Sequence, residues 1–368
     1  MFIKRFMGTM LAAAVFGLTL TACSTGAAEE SKTQEAVETS VSASETEESS
    51  ASEPETGDST ASDNETEVSD NSKLRVGSLK GPTTIGLVNL MEKAEAGETD
   101  IDYEFTMATT ADEISAKLVS GDMDIALIPA NLASVLYNKT EGGVSVTDIN
   151  TLGVLYGVTG DESVQSLQDL EGKTVYMTGQ GSTPEFAFNY ILSENGLSGK
   201  VNIEFKNEAT EIAALLKADP TGTAVLPQPF ATVCLKQNEN LREFLDLNEE
   251  WDKCESSEGS QLVTGVTVVR NDLLKEQGDA VKAFMADHEA SVKMTEEDPD
   301  HTSELVAKYG IIEKAPIAKA ALGKCNIVCI SGEEMKTALS GYLNVLFEAN
   351  PQSVGGELPG DDFYAVVE

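Results

Sequence analysis

From residue 73 onward, strand-like and helix-like patterns alternate almost without interruption, and nothing else in the chain narrows the fold as much. Residues 74–79 read as a short buried strand. A Gly81-Pro82 turn follows, then a helix starting at Pro82 or Thr83 with apolar residues at Ile85, Val88 and Met91. Residues 101–107 read as a strand, 111–119 as a helix, 124–128 as a buried strand ended by Pro129, and 131–137 as a helix. The rhythm then restarts, with strands at 172–177, 201–205 and 224–226 and helices at 184–193, 209–217 and 230–236. Such alternation predicts an α/β fold of two tandem lobes, each a mixed, mostly parallel sheet flanked by helices. The uncharged run 262–269, together with 152–158, supplies two crossings between the lobes, and two crossings make a hinge. Beyond 271 the pattern is helical nearly to the C-terminus. Ligands sit past the carboxyl ends of strands in open α/β sheets, so facing lobes would hold a small molecule between their strand-to-helix loops.

The first 72 residues follow different rules. Lys4 and Arg5 precede an apolar run over 7–20 that is short for a membrane span, and Leu20-Thr21-Ala22-Cys23 closes it. This resembles the lipobox of bacterial lipoproteins, which implies a signal peptide over 1–22, lipid on Cys23, and a protein held outside the cytoplasm. An ordinary signal peptide with a chance cysteine is the alternative. Residues 23–72 are rich in Ser, Thr, Glu, Asp and Ala, cannot bury enough surface to offset chain entropy, and predict a disordered acidic tether. The whole chain carries 62 acidic against 25 basic residues, a formal charge of −37, which argues against nucleic acid as a partner.

Four stretches in order carry a family resemblance: residues 74–84, 116–126, 167–175, and Leu226-Pro227-Gln228-Pro229-Phe230-Ala231. Together they resemble the substrate-binding lipoproteins of ABC importers, in the branch that takes nitrate, sulfonates, taurine and thiamine precursors. The resemblance spans residues 74–368 and implies a two-lobed type II periplasmic-binding-protein fold. Its lobes would be 73–156, then 157–264, with 265–368 returning to the first. It further implies a monomer that passes a small-molecule solute to an ABC permease and its ATPase subunits. A sensory or adhesion lipoprotein that keeps the fold without transport is the rival expectation.

The resemblance also places four ligand loops. The first is Lys80-Gly81-Pro82-Thr83-Thr84, where hydroxyls and helix N–H groups would meet an acceptor; a capped helix start with a solvated lysine explains the same residues. The second is Pro129-Ala130-Asn131, in which Asn131 serves equally as a helix cap. The third, with Gln180, Gly181, Ser182 and Thr183, has glycines that allow close backbone approach and hydroxyls that can donate. The fourth presents Gln228 between Pro227 and Pro229, with Phe230 as an apolar wall or a core residue. Lys80 is the one cation in these loops, so a neutral or singly charged solute is expected: a sulfonate, a carboxylate, or a pyrimidine-like ring stacked on Tyr156 or Phe230.

Enzymatic signals are weak. Some relatives of this fold are enzymes of pyrimidine or menaquinone-precursor chemistry, but no nucleophile-elbow or metalloprotease motif occurs, and an export signal fits them poorly. His288 and His301 read as residues of a polar helical region, with no cysteine pattern beside them for metal. No metal or other cofactor is expected. Cys234, Cys254, Cys325 and Cys329 leave disulfides or free thiols open, Cys234 with Cys254 and Cys325 with Cys329 being the most local pairing.

Overall fold

A computed structural model of the chain describes residues 73–254 and 259–367. The expected signal segment, the lipidated Cys23 and the tether lie outside the described residues. The first stretch runs β1 (Leu74–Leu79), α1 (Pro82–Ile85), α2 (Val88–Ala96), β2 (Tyr103–Ala108), α3 (Ala111–Ser120), β3 (Ile125–Pro129), α4 (Ala130–Lys139) and β4 (Val144–Leu152). The second runs β5 (Leu155–Thr159), β6 (Thr174–Met177), α5 (Thr183–Glu194), β7 (Asn202–Phe205), α6 (Ala209–Ala218), β8 (Thr223–Pro227), α7 (Phe230–Gln237), β9 (Arg242–Asp246) and α8 (Leu247–Asp252). The chain then returns through β10 (Val263–Arg270), α9 (Asn271–Glu276), α10 (Gly278–Glu297), α11 (Pro299–Lys308), α12 (Ala315–Leu322), β11 (Ile327–Ser331) and α13 (Gly332–Ala349). Among the described residues no helix is long and apolar enough to cross a membrane.

Two mixed sheets result, one ordered β11-β4-β10-β3-β1-β2 and the other β7-β6-β8-β5-β9. This is the two-lobed architecture expected from the alternation. Parallel pairing is confined to the strand–helix–strand parts, β1 with β2 and β3, and β6 with β7 and β8. Every pair involving β4, β5, β9, β10 or β11 is antiparallel, because these strands lead into and out of the crossings. In β3, Ile125, Ala126, Leu127 and Ile128 are all fully buried, which the uninterrupted apolar run demands of a strand covered on both faces.

Three details depart from the sequence pattern. The run 152–158 is not one strand: it breaks at Gly153 and Val154, where the chain passes from the first sheet to the second. A Cβ at Gly153 would stand 2.8 Å from both Asn248 Oδ1 and Leu262 Cδ2, so any side chain there would have to displace both of them. Gly153 N–H donates to Asn248 Oδ1 at 3.2 Å, and Leu152 pairs with Val263, so the two crossings run side by side. Next, β4 carries Thr147, Asp148, Asn150 and Thr151 yet is buried, since these groups bond laterally. Thr267 Oγ1 donates to Asp148 Oδ1 at 2.9 Å, and Asn150 Nδ2 donates to Thr267 Oγ1 at 3.2 Å. Finally, β11 interrupts the helical C-terminal part and adds an edge to the first sheet.

Beyond β11, α13 packs on β4, β10, β11 and α4 of the first lobe and also reaches α5 of the second. Tyr342 lies 5.7 Å from Trp251 of α8, which lies 4.6 Å from Tyr190 of α5. Cys234, Cys325 and Cys329 are free thiols. Cys234 and Cys254 sit in different apolar clusters, which removes the most local pairing.

Candidate functional site

The four expected loops all lie at strand-to-helix junctions, but their side chains are used unequally. In the first, Gly81 has φ +150, a backbone region that L side chains avoid, and it opens the short helix α1 at Pro82. Thr83 Oγ1 donates to the Leu79 carbonyl at 3.0 Å. Thr84 Oγ1 hydrogen-bonds the same carbonyl and pairs with the Ser78 hydroxyl at 2.8 Å. Thr84 is fully buried and Thr83 nearly so, which turns their hydroxyl protons inward and away from any solute. Lys80 stays exposed.

The second and third loops meet. Thr183 Oγ1 donates to Asn131 Oδ1 at 3.3 Å, joining α5 of the second lobe to α4 of the first. Asn131 Nδ2 in turn donates to the Ser353 carbonyl at 3.2 Å. Pro129 ends β3 immediately before α4. Within the glycine-rich loop, Gly179 and Gly181 have φ +86 and +70, Ser182 Oγ donates to the Gly179 carbonyl at 2.6 Å, and Gly181 N–H donates to the Glu185 carboxylate. A carboxylate of the chain itself therefore sits where an anionic ligand would be held, while Gln180 points to solvent-exposed surface.

In the fourth loop the Gln228–Pro229 peptide is cis. Gln228 is buried; its Oε1 accepts from Thr232 N–H at 3.2 Å and Thr232 Oγ1 at 2.8 Å, and its Nε2 has no partner among the described residues. The Tyr342 hydroxyl is buried beside Thr183, and burial pushes its pKa well up against the opposing effect of the Thr183 hydroxyl.

A cavity of about 440 Å³ brings the first and fourth loops together. Lys80 and Gly81 face Pro229 and Phe230 across it, and the segment after α11, with Ile311, Ile312, Glu313 and Lys314, closes a third side. Neither Asn131 nor Thr183 lines it. The segment 311–314 was missed by sequence reasoning, because it lies some two hundred residues from the loop it meets; the apolar pair after Gly310 is its one local signal. Tyr156 is not a stacking surface. It is buried, its hydroxyl donates to the Lys324 carbonyl at 2.9 Å, and Lys324 Nζ lies 5.5 Å over its ring while binding both Glu243 oxygens at 2.6 Å. The arginines of the described residues are committed elsewhere: Arg75 and Arg270 to Asp124, and Arg242 to the Asp161 and Val164 carbonyls.

His288 also departs from expectation. It is fully buried, its ring stacked 5.6 Å from Phe284, with Asp148 and Cys329 beside it. The Cys329 thiol is pushed well up by burial and by the Asp148 charge. Its helix shows the reason: Val281, Phe284, His288, Ser291, Val292 and Thr295 recur at helical spacing on the buried face. His301, by contrast, is on the surface, 2.6 Å from Glu92, and that hydrogen bond raises its pKa.

A family model described as menaquinone biosynthesis matches residues 75–328. No curated protein sequence matches the chain. Among solved structures, an ABC transporter protein from Parabacteroides distasonis is 24% identical and superposes over 81% of this chain and 100% of its own, with a TM-score of 0.69. The periplasmic aliphatic sulphonate binding protein of Escherichia coli is 13% identical over 78% of this chain and 92% of its own, TM-score 0.62. The alkanesulfonate-binding protein of Xanthomonas axonopodis pv. citri, bound to MOPS, is 14% identical over 78% and 95%, TM-score 0.56. At these identities the likeness establishes the fold.

Proposed function

The chain belongs to the menaquinone-biosynthesis family, and from that premise we propose that it is an extracytoplasmic solute-binding protein, lipid-anchored through Cys23, that captures a small molecule between its lobes for an ABC importer. The observation that carries this reading is the cavity of about 440 Å³ whose walls come from loops of both lobes. Its size and apolar walls suit a small organic solute. Lys80 and Lys314 set against Glu313 leave one positive charge in excess, which favours a solute with an apolar or aromatic body and a single anionic group, such as a sulfonate or carboxylate. The sulfonate-binding names of two fold neighbours agree with that class.

The mechanism follows from differential stability of two lobe arrangements. Thr183–Asn131, Lys324–Glu243 and Tyr156–Lys324 are contacts between lobes, and separating the lobes breaks them. A solute touching both walls of the cavity binds the closed arrangement better than the open one and shifts the population toward it. The closed form is then the one a permease would recognise, and its ATPase subunits would drive import.

A thermal-shift panel of alkanesulfonates, aromatic carboxylates, nitrate, thiamine precursors and nucleobases tests the reading. A ligand at a hundred times its Kd stabilises the folded state by about 2.7 kcal/mol, readily seen as a raised Tm. No shift with any of these classes, in protein shown to be folded, removes small-solute capture of this kind. The family description favours one second reading, an enzyme acting on a menaquinone precursor. Incubating each stabilising compound with the protein separates the two: a binding protein returns it unchanged, and an enzyme converts it.

A further inference from the structure

Away from the cleft, Asp148 of β4, His288 of α10 and Cys329 of β11 bring a carboxylate oxygen, a ring nitrogen and a sulfur within 4.8 Å of one another. Asp148 and His288 are fully buried, and Asp148 Oδ1 lies 3.7 Å from His288 Nδ1. Among the described residues neither nitrogen of His288 has a hydrogen-bond partner, although a buried imidazole left so loses the bonds it made in water. The carboxylate itself is held in place, since Thr267 Oγ1 donates to Asp148 Oδ1 at 2.9 Å.

We propose that Asp148, His288 and Cys329 bind a divalent cation of zinc type. A thiolate, an imidazole and a carboxylate together select a borderline-soft ion over Mg2+ or Ca2+, which prefer oxygen alone. Bonds of about 2.0–2.3 Å in a tetrahedral site put neighbouring ligand atoms about 3.3–3.8 Å apart. The Asp148–His288 pair already has that spacing, and the other separations need contract by no more than about 1.5 Å. A proton relay from Asp148 through His288 to the thiol is a poorer fit. It needs Nε2 facing the sulfur, whereas Nε2 lies against Gly86, where a Cβ would come within 3.4 Å of it. Cys329 alone of the three is partly exposed, so the ion enters past the thiol, whose proton it displaces, and water fills the fourth position from the same side. Bound there, the ion ties α10 and the edge strand β11 to β4, the strand that leads into the crossing at Gly153.

The test uses the full chain, stripped with a chelator and titrated with Co2+, whose thiolate complexes absorb through sulfur-to-metal charge transfer. Wild type takes up one Co2+ per chain with that absorption, Zn2+ displaces it, and the loaded protein has a higher Tm than the stripped one. Cys329→Ser, a near-isosteric change at a partly exposed position, abolishes the band and weakens uptake by more than about tenfold, while Cys325→Ser and Cys254→Ser keep both. His288→Gln repeats the loss if it folds. The proposal is overturned if folded wild type takes up no stoichiometric Co2+, or if Cys329→Ser retains an unchanged charge-transfer band.

Discussion

The loop after β1 and the loop before α5 look alike as sequence: each has glycine, proline and paired hydroxyl residues where a strand turns into a helix. They differ in what the hydroxyls do. Thr83 and Thr84 fold back onto the strand that precedes them and are buried there. Ser182 also turns back, onto Gly179, but Thr183 reaches out of its lobe to Asn131 of the other. Gly/Pro/Thr composition thus specifies the turn, while the side-chain partner is decided by which surface faces the loop after folding. One loop is a brace for its own lobe and the other a catch between lobes.

The sharpest way to break this distinction is Thr84→Val. It keeps the shape but takes from the buried Ser78 hydroxyl its Thr84 partner and leaves the Leu79 carbonyl with Thr83 alone, and is expected to cost about 1–3 kcal/mol in urea unfolding. A cost near zero would show that this loop is no brace. Thr183→Ala is the opposite case: ligand affinity falls several-fold because the closed form loses its catch, while the unliganded protein loses less than about 1 kcal/mol in the same assay. Equal affinity for the two proteins would remove Thr183 from closure. For Glu185→Gln the expected change is smaller still, within about 0.5–1 kcal/mol of stability. If the Gly181 N–H does bind a solute anion, this variant binds anionic ligand more tightly than wild type; unchanged affinity keeps the loop out of the site.

The smallest effect lies outside both loops. Glu92 raises the folded-state pKa of His301, so the pair stabilises α2 against α11 fully below the ordinary histidine pKa and is lost as pH rises through the raised value. Because both groups are well exposed, the contribution is about 0.3 kcal/mol, read as a slight fall of Tm between pH 5 and 8 that His301→Gln removes. A pH profile identical in the variant would contradict it.

Periodicity made most of the fold legible, because a buried parallel strand such as β3 has to be apolar throughout. It failed at β4, where Thr147, Asp148, Asn150 and Thr151 are buried yet polar, satisfied by neighbours that only pairing with β10 supplies. Glycine and proline marked the four candidate ligand loops, but Tyr156 was misplaced as a wall, since the Lys324 carbonyl that claims its hydroxyl is distant in sequence. The cavity's third wall, 311–314, has the same cause. His288 was recoverable in principle: it falls on the stripe of Val281 and Phe284, three and four residues apart, and the acidic neighbours Asp287 and Glu289 hid that phase.

Calorimetric titration of the ligand from the thermal-shift panel into wild type and Phe230→Ala addresses the central claim most directly. Phe230 lines the cavity between the lobes. A solute held there loses at least tenfold in affinity when the ring is removed, about 1.4 kcal/mol or more, with the unliganded protein still folded. Unchanged affinity in folded Phe230→Ala would mean that the solute binds elsewhere and that this cavity is not the site.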